Sequence, residues 1–143
     1  MDVVSEISPA EVMTLYQDHP GWRDRELDNV RRAIQNTDLI VGLRDNGNLI
    51  ASGRVMTDFV YYAKAYDIIV AANRRNEGIG QRLMDEIVSH EALTNMADQH
   101  LELVCREGLE SFYEKCGFTR FDKTVEVDGE EQEYIKMNYS EFE

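Results

Sequence analysis

This chain is poor in the residues that would place it in several large classes of protein. Of 143 residues, two are cysteine, two are proline and one is tryptophan. Cys105 and Cys116 match no metal-ligand spacing, and thiols of a cytosolic protein normally stay reduced. Cys105 ends an apolar alternation and reads as a buried small hydrophobe. Basic residues are outnumbered 15 to 28, for a formal net charge of −13. Nucleic acid is thereby excluded as a partner, because neutralising phosphates takes basic surface. The acidity either attracts a cationic ligand or simply keeps the protein in solution, and the second reading is preferred. No apolar run approaches the length of a membrane span, so no membrane partner is expected. The first residues, Met1-Asp2-Val3-Val4-Ser5-Glu6, lack the basic start and apolar centre of a signal peptide, so cytoplasmic residence is expected. Repeats, low-complexity tracts and linkers are also missing. Residues 1–143 are therefore expected to form one domain with one core.

What is present is an alternation of helical and strand patterns. Ser8-Pro9-Ala10-Glu11 reads as an N-cap, a proline at the first helical position and an acidic first turn. Val12, Leu15 and Tyr16 follow at helical spacing, and the helix should end before Pro20. Trp22 lies in a connection to a second helix over about 25–35, with Leu27, Val30 and Ala33 on one face. Residues 39–43 and 49–58 form a hairpin around Asp45-Asn46-Gly47-Asn48, with Gly53 marking a bulge. A third strand ends a stretch over 60–70. An amphipathic helix from Gly78, fading near Asn95, carries Ile79, Leu83, Met84, Ile87 and Val88. Residues 101–105 alternate as a strand. A short helix around Tyr113 ends at Gly117, a candidate left-handed C-cap. Residues 124–127 and 134–139 read as a closing hairpin. The order predicts an α/β fold, a mixed sheet with helices on both faces.

The most informative stretch is Arg75-Asn76-Glu77-Gly78-Ile79-Gly80-Gln81-Arg82, between a strand and a helix. Closely spaced glycines let backbone approach an anion, and the helix start offers unpaired N–H groups at the positive end of its dipole. Arg74, Arg75 and Arg82 add positive charge to this stretch of an acidic chain. A P-loop is excluded because Gly80 is followed by Gln81 and Arg82 instead of Lys-Ser/Thr. A dinucleotide fingerprint is excluded because Leu83 stands where a third glycine belongs.

The remaining pattern, Arg-x-x-Gly-x-Gly after the strand Tyr66-Asp67-Ile68-Ile69-Val70, resembles the coenzyme A loop of the GNAT acetyltransferase superfamily. Ser111-Phe112-Tyr113-Glu114-Lys115-Cys116-Gly117-Phe118 resembles that family's second signature. One helix and one strand separate the two, as the family fold requires, and the resemblance spans roughly residues 36–139. It implies a GNAT fold, an acyl-CoA N-acyltransferase sheet whose central parallel strands splay around a pantetheine arm. It also implies acetyl-CoA as the acyl-donor substrate and a primary amine of a small molecule as the acceptor. Arg75, Asn76, Glu77, Gly78, Ile79, Gly80 and Gln81 would hold the pyrophosphate, and the backbone of Ile69 and Val70 would hold the pantetheine amides. An N–H at the end of that strand would face the oxyanion.

Tyr113 stands at the family's general-acid position. Its unperturbed pKa of about 10 lies above a thiol's roughly 8.5, so its proton is within reach of a leaving thiolate in a shielded site. No base is assigned: Asp67 and Glu102 lie on the strands beside the cleft, and His90 and His100 have suitable chemistry, but none is singled out. Many family members carry asparagine seven residues before this tyrosine; Arg106 stands there instead, which leaves that part of the grip open. Acceptor recognition is expected from the first two helices, the connection at Trp22 and residues 58–66, where Tyr61, Tyr62 and Tyr66 either line a pocket or pack at edges. The last strand, 134–139, is a candidate for pairing across a homodimer. A peptide N-terminus or lysine is the alternative acceptor. A non-catalytic acyl-CoA-binding module, or a domain for another phosphate ligand, is the alternative function.

Overall fold

An edge strand, β1 (Asp2–Val4), precedes a helix whose start is locked by its own sequence. The Ser8 Oγ accepts the Glu11 N–H at 3.2 Å, and the Glu11 carboxylate accepts the Ser8 N–H at 2.9 Å. This reciprocal cap, with Pro9 in the first turn, begins α1 (Pro9–Tyr16). The computed structural model describes residues 1–120 and 123–134. Its further elements are α2 (Leu27–Gln35), β2 (Leu39–Asp45), β3 (Asn48–Thr57), β4 (Ala63–Val70), α3 (Ile79–Val88), α4 (Glu91–Thr94), β5 (Leu101–Leu103), α5 (Glu110–Lys115), β6 (Lys123–Val127) and β7 (Glu130–Tyr134). The chain divides into two compact units, one from Met1 to Arg106 and a second beginning at Glu107.

Glu11 also pairs with Arg44 on β2. The Arg44 hydrogen bond, helped by the Ser8 amide, holds the Glu11 carboxyl at about 2. A carboxyl so depressed stabilises the fold fully above its unfolded value and loses that contribution as pH falls through its folded value. Glu11→Gln should therefore lower the melting temperature at neutral pH. The difference from the parent should close between pH 4.5 and about 2 in melts followed by circular dichroism.

In the first unit the sheet order is β1-β2-β3-β4-β5, antiparallel except for the parallel pair β4–β5. The α3–α4 crossover supplies the long connection that a parallel pair requires. The β2–β3 turn has positive φ at both Asn46 and Gly47, as the Asn-Gly pair predicts. Val12, Leu15, Tyr16 and Val30 from α1 and α2 bury Leu49 and Ile69 against one face. Ile79, Leu83, Met84 and Ile87 are the buried stripe of α3. Ile68 and Ile87 both abut Gly53, whereas Ile69 joins the α1–α2 cluster. Because successive strand residues face opposite ways, the helices cover the two faces of the sheet.

The irregularity at Gly53 lies on the partner strand. Ser52 pairs with Ile69 and Arg54 with Tyr66, so Gly53 alone opposes both Asp67 and Ile68. A Cβ on Gly53 would come within 2.5 Å of the Ile68 Cδ1 and 3.0 Å of the Ile87 Cδ1. The missing side chain lets Ile68 fold over β3, and Asp67 absorbs the extra residue with φ at +54°. Gly53→Ala should cost about 1–3 kcal/mol through overpacking, measured by denaturant titration.

Several boundaries differ from the sequence reading. The second helix starts at Leu27, freeing Arg25 to turn inward. Residues 58–62 are a turn, not strand, because the Asp58 carboxylate accepts the N–H groups of Val60, Tyr61 and Tyr62 at 2.8–3.0 Å. The helix from Gly78 stops at Val88, and the His90 Nδ1 caps a separate α4 by accepting the Ala92 N–H at 3.1 Å. β5 ends at Leu103, leaving Cys105 beyond the strand and only half-buried.

In the second unit, Gly117 takes φ +95° just after α5. The Phe118 N–H reaches the Tyr113 carbonyl and the Gly117 N–H the Glu114 carbonyl, each at 3.0 Å. This is a Schellman cap, which accounts for the Gly-Phe pair ending the signature. β6 pairs antiparallel with β7. The hairpin's second strand begins at Glu130, four residues before the expected 134–139, because the two-residue turn at Asp128-Gly129 returns the chain at once; residues 135–139 lie outside the described residues.

Candidate active site

The helix start after β4 has the form expected of an anion cradle. Gly78 is the N-cap of α3 at φ +78°, and no side chain caps the helix. The first intrahelical bond of α3 is the Arg82 N–H to the Gly78 carbonyl. The N–H groups of Ile79, Gly80 and Gln81 therefore have no acceptor within the helix. Among the described residues, nothing lies within 4 Å of a Cβ placed on Gly78, so their side chains do not plug the bend. Asn76 also has positive φ, +65°, giving the loop a second sharp turn.

The charge around this loop is less positive than the sequence suggests. Arg74 bonds Asp45 at 2.9 Å and Glu77 at 3.2 Å, and Arg82 bonds Glu86 at 2.9 Å. Among the described residues only Arg75 of the three makes no ion pair, and it is exposed. The Arg82–Glu86 and Arg74–Glu77 spacings are those of helical or turn neighbours and were readable in advance. The Asp45 contact needs the fold.

Beside the loop the sheet opens. β4 and β5 pair only over Ala63–Ala65 and Leu101–Leu103, while β4 runs on to Val70. Its last five residues therefore have no β5 partner. The Ala71 N–H bonds the Ile50 carbonyl at 2.7 Å. By the alternation of an antiparallel ladder, the Val70 N–H and C=O then point away from β3 toward the open edge. The Ile69 side chain is buried in the core cluster.

The gap begins where the bulge sits, and Asp67 is its centre. Arg25 donates to the Asp67 carboxylate at 2.8 and 3.2 Å, and Arg54 donates to it at 2.9 Å. Burial raises the Asp67 pKa, but the Arg25 hydrogen bonds and the charges of both arginines outweigh it and leave the carboxyl below its ordinary value. This candidate base is a tightly held anion, unsuited to accept a proton. Burial, then the Asp67 charge, pushes Tyr16 up to about 12, so its phenol keeps its proton.

Sequence reasoning missed His19. Its ring stacks on Trp22 at 3.7 Å, and its Nδ1 accepts the Gly21 N–H at 3.0 Å. Burial, with Arg106, Arg25 and Arg75 nearby in charge, lowers its pKa. With Nδ1 engaged, the neutral ring presents Nε2–H, a donor. The signal was the spacing of His19, Trp22 and Arg25 at three-residue intervals.

The other candidates separate. His90 is a helix cap, and the His100 Nε2 lies 3.5 Å from the exposed Glu102. Tyr61 and Tyr62 line a cavity of about 630 Å³ with Met96, Asp98 and His100 at the starts of β4 and β5, the opposite end of β4 from the glycine loop. Tyr66 does not line it; Lys64 sits over the Tyr66 ring at 5.4 Å. In the second unit, Tyr113 stands on α5 with its ring edge-on to Phe112 at 5.0 Å and to Phe118 at 6.0 Å.

A mixed sheet whose parallel pair parts beside an uncapped glycine helix start defines an acyl-CoA N-acyltransferase fold. Residues 36–120 match the acetyltransferase (GNAT) domain family, and the chain belongs to it. It is 25% identical over 107 residues to the uncharacterized N-acetyltransferase ycf52 of Pyropia yezoensis. That match covers 72% of this chain, which spans 60% of the relative's length. A protein of Xanthomonas campestris pv. campestris assigned to GNAT-family acetyltransferases superposes with a TM-score of 0.71 at 26% identity, over 90% of this chain and 94% of that one. A Staphylococcus aureus protein described as a probable acetyltransferase shares the fold, with a TM-score of 0.72 at 20% identity over 95% and 98% of the two chains. No helix among the described residues is long and apolar enough to cross a membrane.

Proposed function

We propose that this protein is an acetyl-CoA-dependent N-acetyltransferase whose acceptor is a primary amine of a small molecule, transferred to directly in a ternary complex. The observation that carries the reading is the unpaired edge of β4 running into a helix start with free N–H groups. The amides of Ile79, Gly80 and Gln81, with Gly78 and Asn76 shaping the bend and Arg75 and Glu77 flanking it, hold the diphosphate. The Ile69–Val70 peptide extends the grip to the pantetheine as an added strand would.

The chemistry follows from four needs. The amine nitrogen attacks the thioester carbon in its neutral form. A peptide N–H at the end of β4 stabilises the oxyanion that develops. The C–S bond breaks, and Tyr113 gives its proton to the leaving thiolate. The proton shed by the amine passes to solvent, and Tyr113 is reprotonated from solvent. Acceptor recognition falls to the α1–α2 connection, where His19, Trp22 and Arg25 lie beside the bulge. Residues 1–143 work as one domain in the cytoplasm, with residues 134–139 as the candidate homodimer contact.

A panel of amines screened for thiol release from acetyl-CoA tests the reading. Release with at least one small primary amine is expected. Carrier binding without release across the panel would contradict catalysis and leave a binding module.

A further inference from the structure

We propose that Arg25, Asp67 and Arg54 are positioning residues for acyl transfer: the doubly clamped carboxylate holds the β4 bulge open and so fixes which backbone N–H faces the gap. This rests on the transferase reading of the gap. Asp67 is a non-glycine residue at φ +54°, a left-handed conformation that aspartate tolerates better than most residues but that still costs free energy within a strand.

The surroundings hold this conformation from two directions. Arg25 comes from the α1–α2 connection and lies over the Trp22 ring at 5.0 Å and the Tyr16 ring at 5.2 Å. Arg54 comes from β3 and is itself fixed by the Thr37 hydroxyl at 2.9 Å, just past the end of α2. Asp67 sits between them with its side chain only 8% exposed. A buried ion cluster of this kind is a poor way to gain stability, since apolar packing often does as well. Its placement at the one irregular point of β4 has another explanation.

The bulge adds one residue to β4, and a one-residue change of register turns every later residue to the other side. With the bulge, Ile69 enters the core and the Val70 N–H faces the open edge. If it collapsed, those directions would exchange. The clamp therefore selects the Val70 peptide for the gap. It also ties that choice to the connection assigned to acceptor recognition.

The test compares the intact protein with Arg25→Ala, Asp67→Asn and Arg25→Lys by amide hydrogen exchange and by kinetics. In the first two, the β3-facing amides of Ile69 and Ala71 should exchange about tenfold faster or more, while Leu83 and Ile87 on α3 keep their rates. At saturating acetyl-CoA and amine, kcat should fall about 100-fold, as a displaced reacting geometry does, and carrier affinity should weaken by a smaller factor, since the diphosphate loop is untouched while the Val70 peptide leaves the gap. Arg25→Lys, keeping the charge without the fork, should recover part of both effects. Unchanged exchange at Ile69 and Ala71, or a lowered melting temperature with kcat intact, would overturn the proposal. If no amine supports turnover by the parent protein, the transferase reading fails and the exchange result alone decides the clamp's role.

Discussion

Replacing Gly78 with valine is expected to remove measurable acetyl-CoA binding while leaving the fold in place. The position holds φ +78°, where a β-branched residue is strongly disfavoured. At its Cβ the added side chain meets no atom of the described residues within 4 Å, so the core has no reason to rearrange. The penalty falls on the bend. Either the loop abandons the left-handed turn and the N–H groups of Ile79, Gly80 and Gln81 lose their common aim, or the valine stands where the anion must approach. Calorimetry should show affinity reduced at least about 100-fold, a loss of roughly 2.7 kcal/mol. The far-ultraviolet dichroism of the variant should match the parent. Unaltered affinity would mean that the loop is only a strand-to-helix turn.

Tyr113→Phe should lower kcat by about 10²- to 10⁴-fold, the range general acids contribute. Acetyl-CoA affinity should stay close to that of the parent. Phenylalanine keeps the ring that packs edge-on against Phe112 and Phe118, so the second unit retains that contact. The substitution removes the hydroxyl proton donor and keeps the ring. The split between kcat and binding separates proton donation from mere packing. Unchanged turnover at saturating acceptor would remove Tyr113 from the mechanism.

Much of the architecture was legible because it is written in local chemistry. Ser8 predicts an N-cap, Asn46-Gly47 a hairpin turn and Gly117 a helix end, and all three form with the hydrogen bonds or dihedral angles those residues favour. Gly53 announced an irregularity but not its owner, since the extra residue belongs to β4 and only the approach of Ile68 and Ile87 shows why. β1 escaped notice because three residues give no periodicity to read.

The site divides the same way. The glycine helix start could be inferred from spacing, whereas its electrostatics could not, because Asp45 comes to Arg74 from a distant hairpin. Asp67 looked like a candidate base beside a cleft. Only the convergence of Arg25 and Arg54 from separate elements makes it a structural anion.

The most direct test of the whole account is a titration of the isotopically labelled protein with coenzyme A, followed through backbone amide resonances. The account predicts that the largest shifts fall on Ile79, Gly80, Gln81 and Val70, with the buried α3 amides of Leu83 and Ile87 little changed. Shifts confined to other parts of the chain, or none at millimolar ligand, would contradict it.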